Sequence, residues 1–348
     1  MIEPASPPAR EHLLHLNHIG GHHRSFIDLF HRWFGLDASI GGVGAVNFRR
    51  LVRAEQLMFA TLDDDVRGFV IVALARTMRG RRTAGIFMRP QSCFFSGPRG
   101  WIKRQLFRSL RRVPLVSTLS LLPFEAVPQL RGVATDAVHD PQLWDVVDDD
   151  DAIDEALAAR VLAEAHGRPV LTFLGTVNAG KGFGHLAAII AADPTLTEKL
   201  CVVIAGHVQK DSAGDADAAA KAGAIVWDRR TSDSELAALY RASSAVWACY
   251  HPDYDQASGI FGRAVQRGRR PVIREGAVIV GSYVERLGID AVRLSEDPRQ
   301  AAATLIAELT GQEIVRTADP AVLREWRREF IRAVDGGIGA GHRAYDKL

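Results

Sequence analysis

In the second half of the chain, short apolar runs recur at 169–173, 201–205, 224–227, 245–248 and 271–273. Runs this short, with no polar residue at alternate positions, read as strands buried on both faces of a parallel sheet. Between them the apolar residues shift to helical spacing at 184–192, 213–222, 232–241 and 262–268. Strands alternating with helices predict right-handed crossovers and a doubly wound sheet, which binds ligands beyond the carboxyl ends of its strands.

The first half repeats the theme less regularly. A strand at 13–18 runs into Ile19-Gly20-Gly21 and an apolar-periodic helix at 26–34, the opening of a Rossmann-type unit. Further strands are predicted at 69–73, 83–88 and 115–122, with a basic helix at 100–112 before the last of them. The tail at 321–334 is amphipathic, with Leu323, Trp326, Phe330 and Ile331 on one side, and is expected to cover a seam between domains.

Length and composition fit this plan. The 348 residues, 47% hydrophobic and 24% charged, suit a globular chain of two domains. No stretch approaches the ~18 uninterrupted apolar residues of a spanning helix, and the opening MIEPASPPAR lacks a charged start before an apolar run. A cytoplasmic location is expected. Cys93, Cys201 and Cys249 lie far apart in apolar surroundings, so neither a disulfide framework nor a metal cluster is indicated.

The net charge of +2 hides an uneven distribution. No acid occurs between Asp65 and Glu125, a span that carries Arg67, Arg76, Arg79, Arg81, Arg82, Arg89, Arg99, Lys103, Arg104, Arg108, Arg111 and Arg112. A positive surface is expected there. The balance then reverses through Asp145, Asp148, Asp149, Asp150, Asp151, Asp154 and Glu155, which marks a linker. The predicted domains are 1–150 and 151–320, with 321–348 as a helical segment across the seam.

Two segments carry candidate chemistry. Gly175-Thr176-Val177-Asn178-Ala179-Gly180-Lys181-Gly182 sets glycines and one lysine after a buried strand and before a helix. Glycines let the backbone approach an anion, while helix-terminal amides and an ammonium attract it. The same pattern also describes a tight turn with a solvated lysine. It is neither a Walker loop nor a dinucleotide fingerprint. The second segment, Tyr250 to Arg263, follows the strand at 245–248; Ser258 is placed to cap a helix whose Gly259 and Ile260 amides point outward. Two such helix starts in one sheet can grip a diphosphate from two sides.

These residues carry a family resemblance. Gly175-Thr176-Val177 with Lys181-Gly182, Val203-Ile204-Ala205-Gly206, Ser234-Glu235-Leu236 with Leu239-Tyr240-Arg241-Ala242-Ser243, and the loop and helix from Asp255 to Gly268 followed by Pro271-Val272-Ile273 resemble the C-terminal domain of the family 4 retaining glycosyltransferases. The resemblance spans 169–288. It implies an α/β chain of the GT-B kind: two Rossmann-like domains facing a cleft, with a C-terminal helix crossing the seam. It further implies a nucleotide-diphosphate sugar as donor, a glycan or lipid-linked acceptor, metal-independent transfer with retention, and no cofactor. By this resemblance Lys181 neutralises the diphosphate leaving group; Asp255, in the matching acidic region, and His22, placed at the expected cleft edge after Gly20-Gly21, complete the candidate catalytic set. Donor contacts fall to Gly20, Gly21, Gly175, Thr176, Lys181, Gly206, His207, Trp227, Ser258, Gly259, Ile260 and Arg263.

The chain departs from the family pattern where that chemistry is concentrated. Thr176 stands in place of an arginine, and the paired glutamates become Asp255 and Arg263. An arginine presents donors only, so Arg263 is expected to move charge toward the diphosphate or to donate to the ribose. These departures keep open a noncatalytic scaffold or partner subunit, and the fold leaves a nucleotide-sugar epimerase open as well. The helix at 100–112 interleaves Trp101 and Phe107 with basic residues, which suits either a solvated face or docking on an anionic membrane surface on the cytoplasmic side. Nucleic acid is not expected, since aromatics are sparse and no recognition module is visible.

Overall fold

The computed structural model describes residues 11–18, 23–145, 153–256, 258–311 and 315–339. The chain divides into two compact units, one of residues up to His139 and again from Glu325, the other Asp140–Arg324. Each is built on a six-stranded sheet in which every pairing is parallel. The architecture is that of the GT-B fold.

The first sheet holds β1 (His12–Leu16), β2 (Asp37–Ile40), β3 (Gln56–Phe59), β4 (Thr83–Phe87), β5 (Val116–Ser120) and β6 (Asp136–Ala137), in the order β2-β1-β3-β4-β5-β6. The second holds β7 (Val170–Leu174), β8 (Cys201–Ala205), β9 (Ile225–Trp227), β10 (Ala245–Trp247), β11 (Arg270–Arg274) and β12 (Val292–Leu294), in the order β12-β11-β10-β7-β8-β9. Chain order reverses beside the first strand of each sheet, between β1 and β3 and between β7 and β10. These are the switch points at which open α/β sheets form a crevice.

The inner strands β7, β8, β10 and most of β11 are buried on both faces, as their apolar runs require, while the edge strand β9 is only partly buried. Leu171 and Phe173 join Phe183, Leu186 and Trp247 on one side, while Val170 and Leu174 join Val161, Leu239 and Tyr240 on the other. Each such side chain contributes about 1.5–3 kcal/mol by leaving water. Helix starts are written locally. Ser232 and Glu235 close a capping box on the helix Asp233–Ala242, and Asp154 accepts from the Leu157 amide at the start of Glu155–Ala165.

In the first unit, 69–73 is not a strand but the middle of the helix Val66–Thr77. Its apolar run FVIVALA resembles a buried strand, yet the Asp65 carboxylate accepts from the Gly68 amide and starts a helix that buries Gly68, Phe69, Val72, Ala73 and Arg76 at helical spacing. Arg76 is likewise not part of a positive surface. It is fully buried and donates to the carbonyls of Leu51, Ala54 and Arg82 and to the Thr83 hydroxyl. Burial and the neighbouring Arg81 push its guanidinium down to about 10.

The helix Pro320–Ile338 begins among residues of the second unit and from Glu325 belongs to the first. There Trp326 stacks on His139 at 3.9 Å, Phe330 packs on Phe30 at 6.0 Å between ring centres, and Gly337 lies against Ala84 and Ser117 of β4 and β5. Among the described residues no helix is long and apolar enough to cross a membrane.

Candidate functional site: an anion cradle at the end of the second sheet

The loops leaving β7, β8 and β10 are stitched to one another. The Gly175 amide donates to the Ala205 carbonyl, Val177 to His207, and Gln209 back to Val177, so β7 and β8 stay paired beyond their ends. Gly206, at φ +152°, runs so close to the Gly175 carbonyl that a Cβ would collide with it. From the other side the His251 amide donates to the Gly180 carbonyl, and the Tyr254 ring covers Gly180. Gly182, at φ +74°, leaves no room for a Cβ beside the Cys249 carbonyl. The glycine–lysine loop is thereby clamped between its neighbours at the switch point.

Lys181 is fixed by three contacts. Its amide donates to Asn178 Oδ1 at 3.0 Å, its carbonyl accepts from Trp247 Nε1 at 3.1 Å, and its ammonium turns back toward the Leu174 carbonyl at 3.5 Å. No carboxylate among the described residues pairs with it. Burial therefore pushes the ammonium down to about 8. A desolvated cation held this way is poised for an anion.

The Lys181 ammonium and Ile260 Cδ1 both border the space a Gly175 side chain would fill. That contact brings in the helix Gly259–Gln266, which follows β10. Ser258 is its N-cap by backbone, but its side chain does not cap: its hydroxyl hydrogen-bonds the Tyr250 hydroxyl instead. The first intrahelical bond runs from the Gly262 amide to the Ser258 carbonyl, so the Gly259, Ile260 and Phe261 amides precede it. The helix start thus adds amide donors beside the lysine.

The other predicted residues fall in several places. Gly20, Gly21 and His22 lie outside the described residues. Thr176 sits partly buried in the clamped loop. His207 gives its carbonyl to Val177 and exposes its ring, with Nδ1 3.4 Å from Asp228. Trp227 ends β9 under the Arg160 guanidinium at 5.0 Å, two strands from β7 and so about 10 Å along the sheet edge. Gly259 and Gly262 face Gln142, whose backbone carbonyl would meet a Gly262 Cβ at 2.6 Å. The Asp255 carboxylate accepts from the amides of Val278, Ile279 and Val280 at 2.6, 3.0 and 3.4 Å and caps the helix Ile279–Leu287. Its oxygens are engaged with backbone amides.

Arg263 lies within electrostatic reach of Asp140 and Tyr240. Asp140 is buried, and burial drives its carboxyl up to about 6 against the opposing pull of the Gln142 amide and Arg263. Neither Asp140 nor Arg274 was singled out by sequence. Arg274 ends β11, donates to the Glu275 carbonyl at 3.1 Å, keeps a buried Nε without a partner among the described residues, and stands near the Cys249 thiol. An arginine closing the buried run Pro271-Val272-Ile273 was the available signal for it. Asp140 had none, because it reaches Arg263 only through the fold. Among the described residues no cluster of three His, Cys, Asp or Glu could hold a metal ion.

No family model matches the chain, and no curated protein matches it. Solved structures do resemble it. A UDP-forming α,α-trehalose-phosphate synthase from Burkholderia xenovorans, solved with glucose-6-phosphate, is 13% identical at a TM-score of 0.54, over 84% of this chain and 78% of that one. WaaG, a glycosyltransferase involved in lipopolysaccharide biosynthesis, is 11% identical at 0.53, over 93% and 94%. An E. coli trehalose-6-phosphate structure bound with UDP-2-fluoro glucose is 11% identical at 0.52, over 84% and 73%. The chain shares with these structures its fold of two parallel-stranded sheets.

Proposed function

We propose that the protein is a glycosyltransferase that binds a nucleotide-diphosphate sugar on its second unit and passes the sugar to a glycan or lipid-linked acceptor. The observation that carries this reading is Lys181, a partly buried ammonium with no carboxylate partner among the described residues, set at the switch point beside the opening amides of the helix Gly259–Gln266. In this reading Lys181 and those amides take the diphosphate and stabilise the charge that grows on it as the glycosidic bond to phosphate breaks. Gly206, His207 and Trp227, spread toward β9, meet the nucleoside end. Thr176 lines the loop, and Arg263 and Arg274 add positive potential in place of the family arginine. Retention and metal independence follow the family resemblance, with a departing phosphate oxygen taking the acceptor proton.

A second reading, a protein that binds the donor without transfer, is favoured by Asp255, whose carboxylate is committed to three amides. Calorimetry with a panel of nucleoside diphosphates, followed by assay of sugar release from the matching nucleotide sugar, separates the two. Binding with turnover supports the enzyme; binding without turnover supports the second reading. If no nucleoside diphosphate binds better than inorganic pyrophosphate, the donor site itself is refuted.

A further inference from the structure

Of eleven large apolar side chains exposed among the described residues, six fall between Ile71 and Ile102. They are Ile71, Leu74, Met78, Phe95, Trp101 and Ile102, each between 43% and 88% exposed. Ile71, Leu74 and Met78 form one stripe along and just past the helix Val66–Thr77, at helical spacing. Phe95, Trp101 and Ile102 gather at the start of the helix Pro98–Leu110. The topology sets the two groups on one face. Because β3, β4 and β5 are consecutive neighbours, the right-handed crossovers that join them set both helices on the same face of the first sheet, running in the same direction.

The polar residues of this face are nearly all cationic. Arg67, Arg99, Arg108, Arg111 and Arg112 are exposed, and of the acid-free run only Lys103 pairs with a carboxylate among the described residues. The nearest acids are engaged at strand ends. Asp63 accepts from the Met88 and Arg89 amides and pairs with Lys103, and Asp65 caps its helix. The face therefore mixes exposed aliphatic and aromatic side chains with arginines whose charge is not balanced locally.

From this we infer that the Val66–Thr77 and Pro98–Leu110 face of the first unit docks on a bilayer with acidic headgroups. Arginines reach the phosphates while Phe95, Trp101, Ile102 and the Ile71 stripe enter the headgroup boundary. Charge selects this occupant over the others. A second copy meeting the face symmetrically would set arginine against arginine. Nucleic acid prefers aromatic platforms, whereas four of these six apolar side chains are Ile, Leu or Met. The inference stands independently of the nucleotide site.

Co-sedimentation with vesicles tests it on the full chain. Phosphatidylglycerol–phosphatidylcholine vesicles are expected to bind the protein at low salt and pure phosphatidylcholine vesicles not to, with binding falling as salt shortens the screening length from about 10 Å at 0.1 M to about 3 Å at 1 M. Trp101→Ser with Ile102→Ser, and separately Arg108→Gln, Arg111→Gln and Arg112→Gln together, are each expected to weaken binding by roughly tenfold or more. All five side chains are exposed, and an unchanged circular dichroism spectrum verifies the fold. Absence of binding to acidic vesicles at low salt, equal binding to neutral vesicles, or indifference to both variants overturns the inference. So does a dimer in ultracentrifugation that the Trp101→Ser, Ile102→Ser variant dissolves, or binding to a non-specific oligonucleotide that is tighter than binding to acidic vesicles at the same salt.

Discussion

In the first sheet the loop after β3 carries Asp63, Asp64 and Asp65, with His18 near Asp64 in the loop after β1. In the second, the loop after β7 carries Lys181, and the loop after β10 opens the helix Gly259–Gln266. Both loop pairs flank a switch point of the same strand plan. One crevice is lined by carboxylates already engaged with amides, a lysine or a histidine, the other by an ammonium that, among the described residues, meets a carbonyl and no carboxylate. The positive charge of the first unit is instead spread over the solvent face of two helices. A shared fold therefore says where a ligand can sit, and the residues at the strand ends decide what charge it carries.

The sharpest way to break this contrast is Lys181→Met. Loss of a charge-assisted contact predicts a nucleoside diphosphate affinity weaker by about 1.5–3 kcal/mol in calorimetry. The same change removes a partly buried charge, so thermal stability at pH 7 should rise by roughly 1–3 kcal/mol. The sign follows from linkage. An unfolded lysine keeps its proton to about 10.5 and Lys181 only to about 8, so its cost to the fold is full below pH 8 and fades as pH rises from 8 to 10.5. Affinity in the parent should fall above pH 8 by up to about tenfold per unit, whereas Lys181→Arg should flatten that profile. Unchanged binding by the methionine variant would make Lys181 a structural lysine and erase the contrast.

A smaller effect is expected at Asp140. Its carboxyl is raised from 3.8 to about 6, so the folded state holds a proton that the unfolded chain releases, and stability is lost as pH rises across that window. Asp140→Asn keeps an acceptor for the Gln142 amide and should stabilise the protein by about 1–3 kcal/mol at pH 7 to 8. The gain should vanish near pH 4 in denaturant titrations. A gain that persists at pH 4 would trace to packing rather than charge. The smallest effect is that of Arg263→Ala, because this cation is shared with Asp140. A loss of nucleotide affinity below about 1 kcal/mol is expected, together with a further upward shift of the Asp140 titration by NMR. A loss as large as that of Lys181→Met would put Arg263 directly on the phosphates.

Sequence and fold agree most closely where burial is symmetric. The runs at 169–173, 201–205, 224–227, 245–248 and 271–273 coincide within a residue or two with β7 to β11, because a strand covered on both faces, as all of these but the partly buried edge strand β9 are, has no polar residue to blur it. The first half was less legible. Helix Val66–Thr77 is apolar on its exposed flank as well as its buried one, which removes the periodicity that distinguishes helix from strand. Four-residue strands such as Asp37–Ile40 and Gln56–Phe59 offer too short a pattern to read.

By itself the sequence determined the alternation of strands and helices in the second half, the glycine–lysine loop after β7, the helix start after β10 and the acid-free basic run. All of these are written within a dozen or so residues or as composition. Only the tertiary structure decided what those pieces do to one another. It turned Ser258 from a cap into the partner of Tyr250, committed Asp255 to the amides of a helix more than twenty residues on, and sank Arg76 among carbonyls. It also set Asp140 within reach of Arg263, 123 positions later in the chain. The physical reason is common to all four. A polar group's role depends on which partner reaches it once water has been excluded, and that partner is chosen by topology rather than by its neighbours in the chain.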